Sequence, residues 1–378
     1  MRFRHPDGSL VHLAYCTNVH PAEDLDGVLA QLSRYASPVR ERLGAARLGV
    51  GLWLAADLAA ELAGDGAALR RLRAELAARG LEVVTFNGFP YRGFHDPVVK
   101  HKVYTPDWTE PARLEYTVNL ARVLAALLPD DVDGGSISSL PLAWRTPWDG
   151  DRAGAARRQL DELARLLAGL DRAIRVAFEP EPGCVIESTT DAVRHLSGVD
   201  TEWLGVCLDA CHLAVGFEQP QQALTRLAEA RLPVVKLQAS CALEAPASAR
   251  DELAPFVEPR FLHQTRESGA GGVDDLDEAL AGGLPGLGPW RVHFHVPVHA
   301  EPAGSLSSTR PVLRDTLAAL LSGPHPVTRH VEVETYTWQV LPAGQRPRTE
   351  ADLVAGLANE LDWARGELVA GGLEEVDG

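Results

Sequence analysis

Three acidic residues stand at the ends of short apolar runs, where an ionised side chain is costly. Glu179 follows RVAF, Asp209 follows LGVCL and Glu334 ends HVEVE. A carboxylate at the margin of an apolar core needs a cation or a basic partner to offset its loss of water. Three such charges brought together would raise one another's pKa until at least one took up a proton, and a bound cation removes that penalty. The pattern therefore predicts a divalent-cation site.

The types of donor narrow the choice of metal. Carboxylate oxygens with one or two imidazoles suit Mn²⁺, Mg²⁺, Co²⁺ or Zn²⁺. The five cysteines are scattered and include no CxxC pair, so we expect them to be reduced and mostly buried rather than part of a disulfide framework or a structural zinc site. A cation with such ligands would polarise a carbonyl or hold an alkoxide while a neighbouring carboxylate moves a proton.

The elements that must position these residues alternate along almost the whole chain. Short β-branched or apolar runs are separated by amphipathic Leu- and Ala-rich helices, a pattern typical of parallel βα units. At 378 residues this pattern leaves either one enlarged barrel or two domains, and of these we predict a single α/β domain over residues 1–378, folded as a (β/α)8 TIM barrel. The strand candidates are Val11–Val19, Arg47–Leu54, Leu81–Asn87, Gly135–Leu140, Ile174–Glu179, Leu204–Asp209, Pro233–Ala239, Arg291–Val298 and His330–Tyr336.

Nine strand candidates are one more than a closed eight-stranded barrel holds. The excess lies in the last third, so either one assignment is wrong or an extra strand is inserted before the final one. Residues 240–290 are rich in Ala, Pro, Gly and acidic residues and contain no clear long helix. We expect this insertion to form a mobile lid or rim over the barrel mouth. Residues 349–372 should form a capped amphipathic helix packed on the outside of the barrel.

Charge and hydropathy exclude several classes of protein. With 36 Lys and Arg against 52 Asp and Glu, the 378-residue chain has a formal charge of −16, whereas a protein that grips nucleic acid needs a basic face. No run approaches the ~20 apolar residues that span a bilayer, and the N-terminus shows no signal peptide. We expect a cytoplasmic protein that is not embedded in a membrane, binds no nucleic acid and takes a small-molecule metabolite as its partner.

Other polar residues share the strand-end positions of the three carboxylates. In parallel barrels the active site forms where strands end and the following loops begin. We predict that these residues contact the substrate around the cation. They are Asn18, His20, Asn87, Glu181, Lys236, Gln238, His263 and His293.

The strand endings FEPEPG, CLDACH and VEVET resemble those of the xylose isomerase-like TIM barrels, a superfamily of sugar isomerases, sugar-phosphate epimerases and AP endonucleases. The resemblance implies metal ligation by a Glu after the fifth strand, an Asp in an L-D-x-x-H motif on the sixth, a His or similar group on the seventh and a Glu on the eighth. Carried onto this chain, the resemblance identifies Glu179, Asp209 and Glu334 as ligands and His212 as the motif histidine.

The seventh strand departs from that pattern, because KLQAS places Gln238 where a histidine is usual. A glutamine amide coordinates cations weakly and is a poor substitute for imidazole. His295 in HFHVP or His263 in FLHQT could supply the missing nitrogen. We assign His295 as the remaining metal ligand, with His263 and Gln238 as the alternatives.

A narrower likeness extends over nearly the whole chain. The segments YCTNVHP, NGFPYRGFH, VKHKVYTPDW, HFHVP and VETYTWQVLP resemble the EboE family of metabolite traffic proteins, TIM barrels of a bacterial gene cluster implicated in moving metabolites towards the periplasm. This resemblance implies a role in metabolite processing and traffic, with a membrane export system as a partner.

We predict metal-dependent isomerisation or epimerisation of a small sugar-like or carbonyl metabolite through an enediolate. Glu179 and Glu334 would flank the carbon that loses its proton, and His212 is the third candidate catalytic residue. Two alternatives stay open. The barrel could bind a metabolite for export without turning it over, or it could cleave phosphodiesters, for which its acidic charge is unfavourable.

Overall fold

The structure, a computed structural model, describes residues 1–376, so the last two residues of the predicted domain lie outside it. Its main sheet has ten strands, of which eight are parallel and close into a barrel, because β14 pairs with both β8 and β2. The predicted (β/α)8 TIM barrel is confirmed. The strands are β1 (Arg2–Arg4), β2 (Leu10–Cys16), β3 (Leu48–Leu52), β4 (Leu81–Asn87), β5 (Gly134–Ser139), β6 (Ala173–Phe178), β7 (Leu204–Asp209), β8 (Val234–Ala239), β9 (Leu243–Ala245), β10 (Thr265–Glu267), β11 (Gly271–Val273), β12 (Trp290–Val292), β13 (Ser307–Ser308), β14 (His330–Val333) and β15 (Glu374–Val376).

Helices cover the outside of the barrel between successive strands. Several begin at a side-chain cap, as where Asp149 accepts a hydrogen bond from the backbone N–H of Arg152. In residues 1–376 no helix is long and apolar enough to cross a membrane. The helices are α1 (Leu25–Gln31), α2 (Ser37–Arg42), α3 (Ala56–Gly64), α4 (Gly66–Ala78), α5 (Pro111–Leu127), α6 (Gly150–Leu167), α7 (Thr189–Leu196), α8 (Ala210–Val215), α9 (Pro220–Glu229), α10 (Leu276–Glu278), α11 (Arg310–Leu321) and α12 (Glu350–Ala370), with short 3₁₀ or π turns at Thr17–Val19, Leu32–Ala36, Lys100–Tyr104, Arg250–Phe256, Ala279–Gly283 and Tyr336–Gln339.

The insertion between β8 and β14 accounts for the ninth strand candidate. It holds a second, antiparallel sheet of five short strands in the order β11-β10-β12-β9-β13. The candidate Arg291–Val298 contributes β12 to this sheet, so the second of the two alternatives, an extra inserted strand, is the one that the structure has. Antiparallel pairing needs only short connections, which explains why the segment lacks the long crossover helices of the barrel. That it moves as a lid stays a prediction.

Two short strands at the amino-terminal end of the barrel were not predicted from the sequence. β1 pairs antiparallel with β2 and with β15, which brings the two ends of the described chain together. Arg2 of β1 forms a buried ion pair with Glu82 at 2.8 Å and bonds to Asp131 at 2.5 Å. Strands of three residues are too short to show an alternating apolar pattern, so the sequence alone does not reveal them.

The C-terminal helix α12 packs on the barrel and reaches its mouth. Glu360 of this helix is fully buried. Its carboxylate accepts hydrogen bonds from Thr335 Oγ1 at 2.6 Å, from the backbone N–H of Val298 at 3.1 Å and from Trp338 Nε1 at 3.0 Å. The helix therefore ties the loop that follows β14 to the inserted segment that follows β12.

Polar side chains fill the middle of the barrel. Lys236 of β8 and Glu332 of β14 form an ion pair with an Nζ to Oε2 distance of 2.5 Å, and both side chains are inaccessible to solvent. Glu332 passes so close to β3 that a Cβ on Gly51 would lie 1.2 Å from its Oε1. A glycine is needed at this position because there is no space for a side chain.

We expect Gly51→Ala to lower the free energy of unfolding by about 1–3 kcal/mol, because the added methyl group must displace a carboxylate that Lys236 already holds. Chemical denaturation followed by circular dichroism measures this change. The control is Gly366→Ala, at an exposed position of α12 with open space around it, where alanine should stabilise the helix by about 0.5–1 kcal/mol. Equal effects of the two substitutions would contradict this account of the barrel interior.

Candidate metal and substrate site

The three carboxylates singled out in the sequence meet at the mouth of the barrel. Asp209 is the last residue of β7, while Glu179 and Glu334 directly follow β6 and β14. One carboxylate oxygen of each lies within 4.8 Å of those of the other two, and no member of the group is more than 5% exposed. Residues far apart in the chain converge here because parallel strands of a barrel all end on the same face.

Two asparagines orient Glu334. Asn18, in the 3₁₀ turn after β2, and Asn87, the last residue of β4, each donate a side-chain N–H to Glu334 Oε1 at 2.7 Å. Both bonds use the same oxygen, so they fix the plane of the carboxylate while its other oxygen stays clear of them. Because amides carry no charge, Glu334 has neutral hydrogen-bond partners here rather than a charged one.

Asp209 and His295 each present an unpaired atom to the same space. Asp209 Oδ1 accepts hydrogen bonds from Ser240 Oγ at 2.7 Å and from the backbone N–H of His212 at 3.0 Å. His295 donates from Nδ1 to the backbone carbonyl of Glu334 at 2.9 Å, so its Nε2 carries the lone pair. This Nε2 lies 3.8 Å from Asp209 Oδ2, and neither atom has a hydrogen-bond partner in the part of the chain that the structure describes. A cation would satisfy both atoms.

Each charge in this cluster changes the protonation of the others. Burial, followed by the nearby carboxylates, raises the pKa of both Glu179 and Glu334 well above the ordinary value for glutamate. Burial by itself would also raise the pKa of Asp209, but the neighbouring His212 and His295 lower it below its ordinary value. A divalent cation at this point would favour the ionised form of all three acids, because it offsets their mutual repulsion.

The donor set fits a divalent metal ion. Glu179 Oε2 is a third buried atom, after Asp209 Oδ2 and His295 Nε2, that lacks a hydrogen-bond partner within residues 1–376. Carboxylate oxygens with one imidazole nitrogen are suitable ligands for Mn²⁺, Mg²⁺, Co²⁺ or Zn²⁺. The structure therefore contains a group of residues that could hold a metal ion.

Two further imidazoles meet beside Asp209. His212 donates from Nδ1 to the Pro180 carbonyl at 3.0 Å, and His293 donates from Nδ1 to Gln264 Oε1 at 2.7 Å. Both Nε2 atoms then carry lone pairs, although they lie 2.9 Å apart. Burial lowers the pKa of both rings, that of His212 to about 4. The Tyr336 hydroxyl lies 3.4 Å from His293 Nε2 and can donate to it, which leaves His212 Nε2 as the acceptor for a ligand hydroxyl.

The orientation of Gln264 is set by its other partners. Its Nε2 donates to Tyr104 Oη and to the Pro182 carbonyl, both at 2.9 Å. Tyr104 in turn donates to Glu181 Oε1 at 2.6 Å. The amide oxygen must therefore face His293, which holds that ring in the tautomer described above.

Three of these residues were not found from the sequence. Ser240 directly follows β8, so the rule that active sites lie at strand ends could have identified it. Gln264 lies in a loop and Tyr104 ends a 3₁₀ turn, so neither is at the end of a barrel strand, although the segments FLHQT and VKHKVYTPDW that contain them were singled out for other reasons. Only the folded insertion brings Gln264 to the carboxyl face of the barrel.

A pocket of about 510 Å³, counting its open mouth, lies over these groups. Of the residues predicted to bind substrate, Asn18, Asn87, Glu181 and His293 line it. Of the three carboxylates, Glu179 and Glu334 line the pocket and Asp209 does not. His212 and His295 complete the polar part of the lining. The rest of the wall is mostly apolar and consists of Phe89, Pro90, Phe94, Val99, Val103, Phe261, Leu262 and Tyr336, with Lys100 and Tyr104 at its edge.

Lys236 and Gln238 of β8 do not line the pocket. Besides its ion pair with Glu332, Lys236 Nζ lies 3.1 Å from the Phe86 carbonyl and 3.3 Å from Ser138 Oγ. These three partners surround the ammonium group, and the side chain is inaccessible to solvent, so Lys236 is not exposed to a substrate in the pocket. Gln238 lies beside Glu332 in the register of the sheet, and its buried amide has no hydrogen-bond partner among the described residues.

His20 also lies outside the pocket lining. Its ring stacks on Tyr35 with a centroid distance of 4.3 Å. Its Nε2 is 3.3 Å from the hydroxyl of Tyr15. The residue therefore packs against Tyr15 of β2 and Tyr35, outside the pocket lining.

His263 has no ring nitrogen free to bind a cation. Its Nδ1 donates to the His293 carbonyl at 2.8 Å, and its Nε2 donates to Glu258 at 2.9 Å. Both ring nitrogens are therefore engaged by oxygens of the insertion and not directed at the carboxylate cluster. Among the three residues considered for the remaining ligand, His295 is the one with an unpaired imidazole nitrogen at the carboxylate cluster.

Comparison with known families matches residues 45–258, more than half of the chain, to the xylose isomerase-like TIM barrel family. A search of curated proteins finds no match.

Solved structures share the fold at low sequence identity. D-allulose 3-epimerase from Methylomonas sp., solved with D-allulose, is 13% identical and aligns over 97% of this chain and 100% of its own, with a TM-score of 0.52. D-psicose 3-epimerase from Clostridium cellulolyticum H10, solved with D-tagatose, is 12% identical over 94% and 99%, with a TM-score of 0.51. A xylose isomerase-like TIM barrel protein from Mycobacterium smegmatis, solved with magnesium, is 13% identical over 95% and 98%, with a TM-score of 0.53.

We expect Lys236→Met to lower the free energy of unfolding by about 3–5 kcal/mol, because it leaves the Glu332 carboxylate buried without its partner. Urea denaturation measures the loss. The double variant Lys236→Met/Glu332→Leu should recover most of it, since it removes both charges. Arg165→Met, which breaks an exposed ion pair with Glu162, is the control and should change little. A single Lys236 variant as stable as the native protein would show that the ion pair does not hold the barrel together.

Proposed function

The chain belongs to the xylose isomerase-like TIM barrel family, and from that premise we propose that it is a divalent-metal-dependent isomerase or epimerase of a small carbonyl or polyhydroxylated metabolite. The observation that carries the proposal is the cluster of Glu179, Asp209 and Glu334 with His295, in which buried oxygen and nitrogen atoms lack partners within the described chain. Solved sugar epimerases with the same fold support the reaction class.

The proposed metal ligands are Glu179, Asp209, Glu334 and His295, and the proposed metals are Mn²⁺, Mg²⁺, Co²⁺ and Zn²⁺. A second carboxylate–imidazole group, Asp209 with His212 and His295, has ligand atoms within the same 4.8 Å limit. When bound, the cation would polarise the substrate carbonyl and stabilise negative charge on its oxygen.

In the proposed reaction, Glu179 and Glu334 act on the carbon next to the substrate carbonyl. One carboxylate takes the proton from that carbon, and the C–H electron pair becomes the double bond of an enediolate. Return of a proton to the opposite face by the other carboxylic acid gives the epimer, while return to the neighbouring carbon gives the isomer. Asn18 and Asn87 would keep Glu334 aimed at the reacting carbon through their hydrogen bonds to Oε1.

His212 and His293 would orient the substrate hydroxyl. Their Nε2 atoms lie 2.9 Å apart, so a hydroxyl that donates to His212 would also lie near His293, and His212 Nδ1 lies 3.5 Å from Glu179 Oε1. A hydroxyl held there would place its carbon beside the proposed acid–base pair. We therefore propose that His212 accepts a hydrogen bond from a substrate hydroxyl and so positions the substrate. His212 remains one of the proposed catalytic residues.

The likeness to the EboE family supports a narrower proposal, that this chemistry serves metabolite processing and traffic alongside a membrane export system. The same pocket could serve that system by binding a metabolite without turnover. The second experiment below separates the two, because proton exchange at carbon requires catalysis and binding does not.

The first test is metal-dependent stability. A cation that binds only the folded protein at a hundred times its Kd should stabilise it by about 2.7 kcal/mol. Chelator should therefore lower the melting temperature measured by calorimetry, and Mn²⁺, Mg²⁺, Co²⁺ or Zn²⁺ should restore it. In Asp209→Asn and Glu334→Gln, which remove an anionic ligand at nearly constant volume, the restoration should largely disappear.

The control for this test is Asp161→Asn, an exposed carboxylate on α6 that pairs with Arg157, whose metal response should equal that of the native protein. His295→Ala, His263→Ala and Gln238→Ala compare the three candidates for the remaining ligand, and His295→Ala should weaken metal retention most. The proposed metal site would be contradicted if carefully purified protein held no stoichiometric metal and its melting temperature did not change with any of the ions.

The second test is deuterium uptake in heavy water. The Mg²⁺-loaded protein should exchange the hydrogen next to the carbonyl of a ketose or an α-hydroxy ketone, and mass spectrometry of D-fructose, D-tagatose and phenacyl alcohol measures this. Glu179→Gln and Glu334→Gln should slow exchange by at least about a hundredfold, the usual contribution of a general acid or base. Ligand binding without exchange across the panel would favour the binding protein over the enzyme.

A further inference from the structure

We infer that the substrate carries an apolar group of about ring size next to an α-hydroxy carbonyl end, as in an aryl or cycloalkyl α-hydroxy ketone, rather than being a free sugar or a sugar phosphate. This inference rests on the proposed function, since it names the substrate class for the same pocket. It comes from the part of the pocket wall that carries no acid, amide or imidazole.

That wall contains an aromatic cluster. Phe94 lies 5.2 Å from Phe261 and 5.4 Å from Tyr336 between ring centroids, and Phe261 lies 4.9 Å from Tyr336. The Tyr336 hydroxyl points to the polar side, 3.4 Å from His293 Nε2. The remaining surface of the cluster presents ring carbons to the pocket, and these distances are in the range in which aromatic rings pack favourably.

The wall is a built part of the fold rather than a loose loop. It joins the segment after β4 to the insertion, because the backbone N–H groups of Val99 and Lys100 both donate to the Arg260 carbonyl at 2.8 Å. Lys100 also forms an ion pair with Asp275. Phe261, next to Arg260, is only 5% exposed although it faces the pocket. The apolar surface is therefore held in place over the polar groups.

A free sugar would match only half of this pocket. Each hydroxyl placed against Phe89, Phe94 or Phe261 would give up its hydrogen bonds to water and find no replacement. A phenyl or cyclohexyl group in the same place would instead lose contact with water, which is favourable in proportion to its area. The two halves of the pocket together match a molecule with oxygens at one end and carbon at the other.

A phosphate group is also poorly matched. Lys100 is the only lysine or arginine among the described residues that line the pocket, and its ammonium already pairs with Asp275. The acidic side chains of Glu179, Glu181 and Glu334 line the same space and supply no cationic partner for a phosphate dianion. The pocket thus selects against the phosphorylated end that sugar phosphates carry.

The test compares three ketones that share one hydroxymethyl ketone group. Phenacyl alcohol carries a phenyl group on the carbonyl, dihydroxyacetone carries a second hydroxymethyl group, and dihydroxyacetone phosphate carries a phosphorylated one. Isothermal titration of the Mn²⁺-loaded full chain measures the three Kd values. We expect phenacyl alcohol to bind at least about tenfold more tightly than either of the other two.

A pair of matched variants links this preference to the wall. Phe261→Leu should reduce the ratio of the dihydroxyacetone Kd to the phenacyl alcohol Kd by about threefold, because it removes one aromatic contact. Phe256→Leu changes a buried phenylalanine of the same insertion that packs on Phe294 and not on the pocket, and should leave the ratio unchanged. Mn²⁺ retention by both variants shows that the site is still assembled.

Equal or tighter binding of dihydroxyacetone or its phosphate would overturn the inference, as would a ratio that Phe261→Leu and Phe256→Leu change equally. Failure of the proposed function gives a different result, namely a protein that retains no Mn²⁺. The ratio is then measured on the metal-free chain, where a phenyl preference that depends on Phe261 would still uphold the apolar substrate class and its absence would reject it.

Discussion

The arrangement of residues around the barrel mouth depends on one constraint, the negative charge of three buried acidic side chains. Glu179, Asp209 and Glu334 are almost inaccessible to solvent, and ionised groups in that position need compensation. The chain supplies neutral hydrogen-bond donors to one oxygen of Asp209 and one of Glu334. Glu179 Oε2 and Asp209 Oδ2 have no hydrogen-bond partner among the described residues. Full compensation of the buried negative charge therefore has to come from a proton or a cation.

The Lys236–Glu332 ion pair lies beneath the site and stabilises the fold without taking part in the proposed chemistry. Lys236 lies close enough to neutralise Glu332 and uses its remaining hydrogens on Phe86 and Ser138. One buried carboxylate of the barrel interior therefore has a lysine as its counter-ion, whereas within residues 1–376 no lysine or arginine forms an ion pair with the three acids above it. Such a division is expected where the lower layer must hold the fold and the upper layer must exchange partners.

The insertion supplies two of the imidazoles and part of the apolar wall. Its small sheet carries the chain past β12, so that His293 and His295 reach the carboxylates, and Phe261 lies over the same pocket. Glu360 of α12 binds this segment and the loop after β14 together. A site assembled from a barrel rim and an insertion can change its substrate by altering the insertion alone, while the acid cluster stays on the strands.

The sequence by itself determined the barrel and its three carboxylates, because both depend on local patterns. Apolar runs separated by amphipathic helices specify parallel βα units, and a residue that ends such a run must lie at the rim. The remaining ligand and the substrate contacts were decided only by the tertiary structure. Lys236 and His295 are both polar residues in apolar surroundings, yet one pairs within the core and the other faces the acids. That difference depends on which side chains lie opposite in space, which spacing along the chain does not encode.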